Sequence, residues 1–240
     1  MKNHKDYEII HEDDYLLIVN KAPMVLTIPD RWNDKIPSLY KIFKELYGEI
    51  FIVHRLDKDT SGVMIFAKDA ETHKYMSMLF ENQEIEKIYH AIVDGQFTEE
   101  PIEIDIPISP DPSTKGRSIP SARGKASLTK VKLIENFKKS ALVKCLLVTG
   151  RHHQIRVHLS AIGHPLLVDP LYGGGSEFLV SSIKKKFNLK KNTQEKPMMV
   201  RNSLHAYSIK FIHPATKNEV EFVAEYTKDF RATIQVLEKY

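Results

Sequence analysis

The chain has 240 residues, of which 42% are hydrophobic and 28% charged, and a formal net charge of +4. That composition suits a globular protein with room for one large α+β domain or two small ones, and the modest positive charge permits a polyanionic partner without requiring one. One cysteine, Cys145, excludes an intrachain disulfide, and no apolar run approaches the ~20 residues of a membrane span. The opening residues, Met1 to Glu8, lack the apolar stretch of a signal peptide, so a cytoplasmic protein without a membrane partner is expected.

In chain order, Tyr15 to Asn20 reads as a strand. Ser38 caps a helix in which Leu39, Ile42, Phe43, Leu46 and Tyr47 repeat at helical spacing, and Gly48 stops it. The apolar runs Ile50 to Val53 and Val63 to Ala67 bracket a polar stretch, and Asp69 caps a second helix carrying Met76, Leu79 and Phe80. Glu86 to Asp94 reads as a strand, and Ile102, Ile104, Ile106 and Ile108 alternate as in a half-buried strand. Lys125 to Ile134 and Ala141 to Val148 form a strand pair around Asn136, with Cys145 as a buried small hydrophobe. Gly150 starts a short helix with Ile155, Leu159 and Ile162 inward, and Gly163 ends it. The lysine-rich stretch Phe178 to Lys196 suggests a surface helix and a loose loop. Strands near Leu204 to Ile212 and Glu219 to Ala224 precede a last helix bearing Phe230, Ile234 and Leu237. Strands following strands, with helices interspersed, predict an α+β fold around a mainly antiparallel mixed sheet. There is no internal repeat, dinucleotide fingerprint or phosphate loop.

The polar stretch His54-Arg55-Leu56-Asp57-Lys58-Asp59-Thr60-Ser61-Gly62 sets a guanidinium and a carboxylate two residues apart between core strands. If extended, the segment would present Arg55 and Asp57 on one face. The spacing fits a mounted reactive pair, but taken alone it favours a surface ion pair beside a turn. Basic residues crowd two regions: Lys115, Arg117, Arg123, Lys125, Lys130 and Lys132 in and after a Pro/Ser/Gly-rich loop from Ser109 to Gly124, and Lys184 to Lys186 with Lys190 and Lys191. The second cluster reads as a solvated face; the first could follow a phosphate backbone with flexible side chains.

The wording of the polar stretch resembles the HRLD-x-x-TSG signature of the RluA family of RNA pseudouridine synthases at all seven specified positions. The resemblance continues at Lys87-Ile88-Tyr89-His90-Ala91, Gly150 to Leu159, Gly163-His164-Pro165, Asp169-Pro170-Leu171-Tyr172-Gly173, Leu204-His205-Ala206 and Phe211-Ile212-His213-Pro214, in the family's order. It implies the pseudouridine synthase fold: a mixed sheet in two halves with peripheral helices and loops and a cleft between the halves. It also implies one catalytic domain over residues 1–240, with no RNA-binding domain ahead of it.

By resemblance the enzyme is an isomerase that flips a uridine out of structured rRNA or tRNA and converts it to pseudouridine, with no cofactor and no metal. Asp57 becomes the catalytic carboxylate, as nucleophile on the sugar or base at C2′; Arg156 becomes its counter-charge, because a desolvated carboxylate needs one. Tyr89 would stack on the flipped pyrimidine and offer a hydroxyl that could assist proton removal from C5, or else be a strand residue of the core. Arg156 could alternatively face water. Arg55 would fill the gap left by the base. Arg151, His153, Lys115, Arg117, Arg123 and Lys125 are expected to bind RNA, and Asp59 to stabilise the turn.

His152, His153, His158 and His164 form no i, i+4 ligand pair, which argues against zinc and for bonds to backbone or phosphate. Two departures from the family pattern stand out. Lys21-Ala22-Pro23-Met24 replaces K-P-x-G, and Val168-Asp169 replaces glycine-aspartate; they leave substrate contacts and loop geometry open. A monomer is expected. The alternatives are a non-catalytic RNA-binding protein on the same scaffold and a hydrolase, which would need a second carboxylate near Asp57.

Overall fold

The computed structural model describes residues 5–33, 35–188 and 193–240. Lys190 and Lys191 of the second lysine cluster, residues 189–192 of the expected helix and loop, and the first four residues of the opening segment lie outside the described residues. The chain divides into two compact units: Met1–Tyr89 with His205–Glu225, and His90–Leu204 with Tyr226–Tyr240.

The first unit opens with β1 (Tyr7–Glu12), a strand the sequence reading did not find, paired antiparallel with β2 (Leu16–Lys21). All six residues of β2 are buried, so its near-continuous apolar run marks an interior strand. Helix α1 (Leu39–Tyr47) is capped by the Ser38 hydroxyl, which accepts from Lys41 N, and ends at Gly48. Leu39 and Phe43 on its inner face meet the sheet core. Strand β3 (Phe51–Ile52) is short and β4 (Ser61–Ala67) is buried throughout. Helix α2 (Ala70–Glu81) starts where Asp69 accepts from Thr72 N at 2.8 Å, and it buries Met76 and Leu79. Residues 53–57 between β3 and β4 are not a strand: Arg55 is exposed, whereas Asp57 is half-buried.

Strand β5 (Glu86–Asp94) runs from the first unit into the second. In the second unit β6 (Ile102–Asp105) stops earlier than the alternating isoleucines suggest. Pro107 has no N–H to continue a ladder, and the next strand, β7 (Ile108–Pro110), pairs with β8 (Ser118–Pro120) as a separate antiparallel hairpin. The loop expected over Ser109 to Gly124 is thus an ordered hairpin. Strands β9 (Leu128–Asn136) and β10 (Ser140–Leu147) pair antiparallel, and the order within the unit is β5-β10-β9-β6. Helix α3 (Gln154–Ala161) buries every residue from Gln154 to Leu159, and Ile162 caps it half-buried. A single 3-10 turn, Val180–Ser182, replaces the surface helix expected after Phe178, because the lysine-rich sequence beyond it offers no apolar stripe to hold one.

The chain returns to the first unit with β11 (Leu204–Ile212) and β12 (Glu219–Val223), giving the order β1-β2-β4-β11, with β12 antiparallel on β11 and β3 antiparallel on β4. Strands β4 and β11 pair in parallel. Helix α4 (Lys228–Lys239) closes the chain in the second unit and packs Phe230, Ile234 and Leu237 against Ile92, Leu142 and Val168. Val168, one of the two departures from the family pattern, is a fully buried member of this core.

The parallel pair explains the Thr-Ser-Gly end of the signature. Gly62 faces Ala206 with a φ of 120°, and a Cβ there would lie 2.2 Å from the Ala206 carbonyl oxygen. Ser61 and His205 hydrogen-bond at 2.9 Å, and His205 Nε2 donates to the Ala224 carbonyl at 3.0 Å, so Nδ1 is left to accept from the serine hydroxyl. Gly62→Ala is expected to destabilise the protein by roughly 3 kcal/mol, through steric overlap and an unfavourable φ together; a shift of the urea midpoint at unchanged slope is the measurement. Met24 stands where the family has glycine, and it carries a left-handed φ of 66°. Met24→Gly should therefore raise stability by about 1 kcal/mol, read in the same titration.

Candidate active site

In the first unit the segment bearing Asp57 is fixed by backbone bonds. Thr60 N donates to the Asp57 carbonyl at 3.1 Å and closes the turn that includes Lys58 and Asp59. Leu56 is buried, and Thr27 Oγ1 both donates to its carbonyl at 2.9 Å and accepts from its amide at 3.3 Å. Lys21 is fully buried, and its Nζ donates to the carbonyls of Ala22, Val25 and Lys58 at 2.9, 2.8 and 3.0 Å. The lysine of the altered first motif is thus a strut beneath the Asp57 turn.

His54 also belongs to the scaffold. Its Nε2 accepts from Ile65 N at 3.0 Å, and its ring stacks on Phe80 at 4.9 Å. Burial first, and the Lys87 ammonium second, push its pKa down to about 3, so it is a neutral imidazole at physiological pH. Tyr89 is half-buried and packs against the first unit's core. Burial raises its hydroxyl pKa, and the Asp57 carboxylate raises it further. That coupling brings two of the three expected catalytic residues together in one unit, and it keeps Tyr89 a protonated phenol.

In the second unit Arg156 does not face water. It is 7% exposed, and its Nε and Nη2 donate to the two oxygens of the fully buried Asp169 at 2.7 and 2.8 Å. Its guanidinium lies 4.9 Å from the Tyr172 ring centroid. Tyr172 in turn accepts from Ser118 N at 2.8 Å and is bonded to His153 Nδ1 at 2.9 Å. His153 opens α3 in a left-handed conformation and stacks on His152 at 3.7 Å. Gln154 and His158 of the same motif are structural. Gln154 bonds Thr149, Arg151, Leu128 and Thr129, and His158 bridges Thr129 Oγ1 and the Ile106 carbonyl, each at 2.9 Å.

The residues expected to bind RNA separate into groups. Arg117, Lys125 and Arg151 line one cleft of about 390 Å³ with Ser109, Ser118 and His152. Arg117 is not a loose arm: it pairs with Asp111 at 3.5 Å, yet its buried Nε has no hydrogen-bond partner among the described residues. Arg151 is exposed, and its Nε donates to the Ala126 carbonyl at 3.2 Å. Lys115 and Arg123 are exposed and do not line that cleft, and Arg55 stands exposed in the first unit. Asp169, Tyr172 and Lys21 were given no role from the sequence. For Asp169 a signal existed: a buried arginine needs a carboxylate, and Asp169 is the only acidic residue between Val157 and Ser176.

A family profile described as RNA pseudouridylate synthase matches residues 15–161. The chain belongs to that family. It is similar to ribosomal large subunit pseudouridine synthase D of Zymomonas mobilis, with 33% identity over 96% of this chain and 72% of the relative. It is likewise similar to the dual-specificity RNA pseudouridine synthase RluA of Vibrio vulnificus, with 34% identity over 86% of this chain and 78% of the relative. The solved structure of human RNA pseudouridylate synthase domain containing 4 shares the fold, with a TM-score of 0.71 and 24% identity over 95% of this chain and 92% of that one. The protein is therefore an RNA pseudouridine synthase, an isomerase acting on RNA, which displaces the hydrolase and non-catalytic readings. No helix among the described residues is long and apolar enough to cross a membrane.

Removing one partner of a buried ion pair leaves the other charge uncompensated, at a cost of about 3–5 kcal/mol. Asp169→Ala should lose stability on that scale in urea unfolding. The double variant Asp169→Leu, Arg156→Met should recover much of it, with activity lost in both.

Proposed function

We propose that Asp57 is the catalytic carboxylate of this synthase, acting on a uridine flipped from structured rRNA or tRNA. The support is its fixed turn, its motif, and its electrostatic coupling to Tyr89 within one unit. In the reaction the bond between uracil N1 and ribose C1′ breaks, the base turns, and C5 bonds to C1′. C5 gives up a proton and N1 gains one, so atoms and charge balance without metal or redox chemistry. Asp57 serves as nucleophile at C1′ or as base at C2′. Tyr89 stacks on the pyrimidine, and Arg55 occupies the space the base leaves.

Arg156 is proposed as the counter-charge of Asp57 on the strength of the motif match. We read the two compact units as parts of one catalytic domain, since relatives and solved structures align along nearly the whole chain. RNA contact is assigned to the cleft of Arg117, Lys125 and Arg151, whose positive charge suits a phosphate, and to His153, Lys115 and Arg123. The protein acts as a monomer in the cytoplasm and without metal.

Asp57→Asn should lower pseudouridine formation roughly 10³-fold or more while RNA affinity and unfolding midpoint stay near wild type. Mapping pseudouridines in RNA from cells lacking the protein, after incubation with either form, checks this and names the target. Substantial turnover by the variant would remove Asp57 from the chemistry.

A further inference from the structure

Trp32, the single tryptophan of the chain, is 87% exposed. Tryptophan carries a large apolar surface and is highly buried on average, so this degree of exposure is unusual for the residue type. Nor is it on an unstructured arm. Asp30 Oδ1 accepts from Trp32 N and Asn33 N, both at 2.9 Å, an Asx turn that sets the backbone presenting the indole. Exposed Arg31 and Lys35 flank it.

The segment that carries the turn is tied to the Asp57 segment. Lys21 holds the Ala22 and Val25 carbonyls together with that of Lys58, and Thr27 Oγ1 holds both backbone groups of Leu56. Leu39 N and Tyr40 N bind the carbonyls of Leu26 and Thr27, which joins the same segment to α1. A flat, exposed ring on a segment bonded to the reactive turn, with Arg31 and Lys35 as well as the Asp30 carboxylate close to it in sequence, has the chemistry of a stacking platform for an unpaired base.

We propose that Trp32 stacks on an unpaired base of the substrate RNA, so that this segment contributes to choosing and holding the substrate. The inference rests on RNA being the substrate and is separate from the assignment of Asp57. A scattered exposed apolar residue with no role is the competing explanation.

The lone tryptophan is its own reporter. Emission of the wild-type protein would be followed during titration with unmodified in vitro transcripts of large-subunit ribosomal RNA and of tRNA, alongside filter retention of the same RNA. Binding should quench Trp32 and shield it from acrylamide. Trp32→Ala should weaken retention roughly tenfold and raise KM with kcat at saturating RNA little changed; Trp32→Phe should recover most of the loss. An exposed residue should leave the unfolding midpoint unchanged, which separates lost contact from lost fold. RNA retained with tryptophan emission and accessibility unaltered, or full affinity in Trp32→Ala, would overturn this inference alone. No RNA retention by the wild-type protein would overturn it together with the RNA-contact reading.

Discussion

An ammonium group removed from water must be given acceptors, and Lys21 receives three backbone carbonyls. Its Nζ has three protons, so each is used. The arrangement works in both directions. The carbonyls of Ala22, Val25 and Lys58 lie in irregular backbone, where no helix or ladder would satisfy them, and one strongly polarised donor satisfies all three. Irregular backbone is what lets Asp57 stand at a turn instead of being committed to a strand face. Lys21 is the last residue of β2, a strand fixed by the core, so the reactive turn takes its placement from the sheet through one side chain. Replacing that lysine by a neutral residue would leave three carbonyls to find new donors in a dry place.

The same logic separates scaffold from chemistry in the signature. His54 is committed to Ile65 and Phe80, Leu56 to the core and to Thr27, Thr60 to the turn, Ser61 to His205, and Gly62 to close passage of β11. Arg55 is exposed and Asp57 half-buried. In the sequence all these positions look alike, since a motif does not state which of its members hold structure. The spacing of Arg55 and Asp57 suggested side chains sharing a face. The segment belongs to no strand, and the burial of the two side chains differs.

Elements specified locally were the readable ones. The caps at Ser38 and Asp69, the helical spacing over Leu39 to Tyr47, and the strand Glu86 to Asp94 follow from short-range chemistry and stand where the pattern put them. Features that depend on distant partners were not readable. The isoleucine alternation runs through Pro107, which has no N–H to continue the ladder, and the Ile106 carbonyl beside it goes to His158, fifty-two residues away. The Ser109 to Gly124 stretch has the composition of a loop, and it is ordered by pairing between β7 and β8 and by the Tyr172 hydroxyl. Arg156 illustrates both cases. Its place on α3 was legible, whereas its burial was not, since it comes from a helix enclosed on all sides and from a carboxylate that follows the next turn.

The neighbourhood of Asp57 in the first unit disfavours charge. Burial depresses His54 to a neutral imidazole, lowers the Lys87 pKa, and raises that of Tyr89. A phenol with a raised pKa accepts protons poorly as long as it keeps its own, and the nearby carboxylate strengthens that hold. At neutral pH Tyr89 is therefore a phenol that can stack and donate a hydrogen bond, and burial and the Asp57 carboxylate make it a poor acceptor for the C5 proton of a rotated uracil. His54 is neutral, yet its Nε2 is committed to Ile65 and is unavailable as a base. If Asp57 acts as the nucleophile proposed above, the acceptor that remains among the named side chains of this unit is Asp57 itself, once the sugar has released its carboxylate. One group would then serve in succession at the glycosidic bond and at C5. A single framed aspartate would suffice, where a glycosidase needs two carboxylates to activate water.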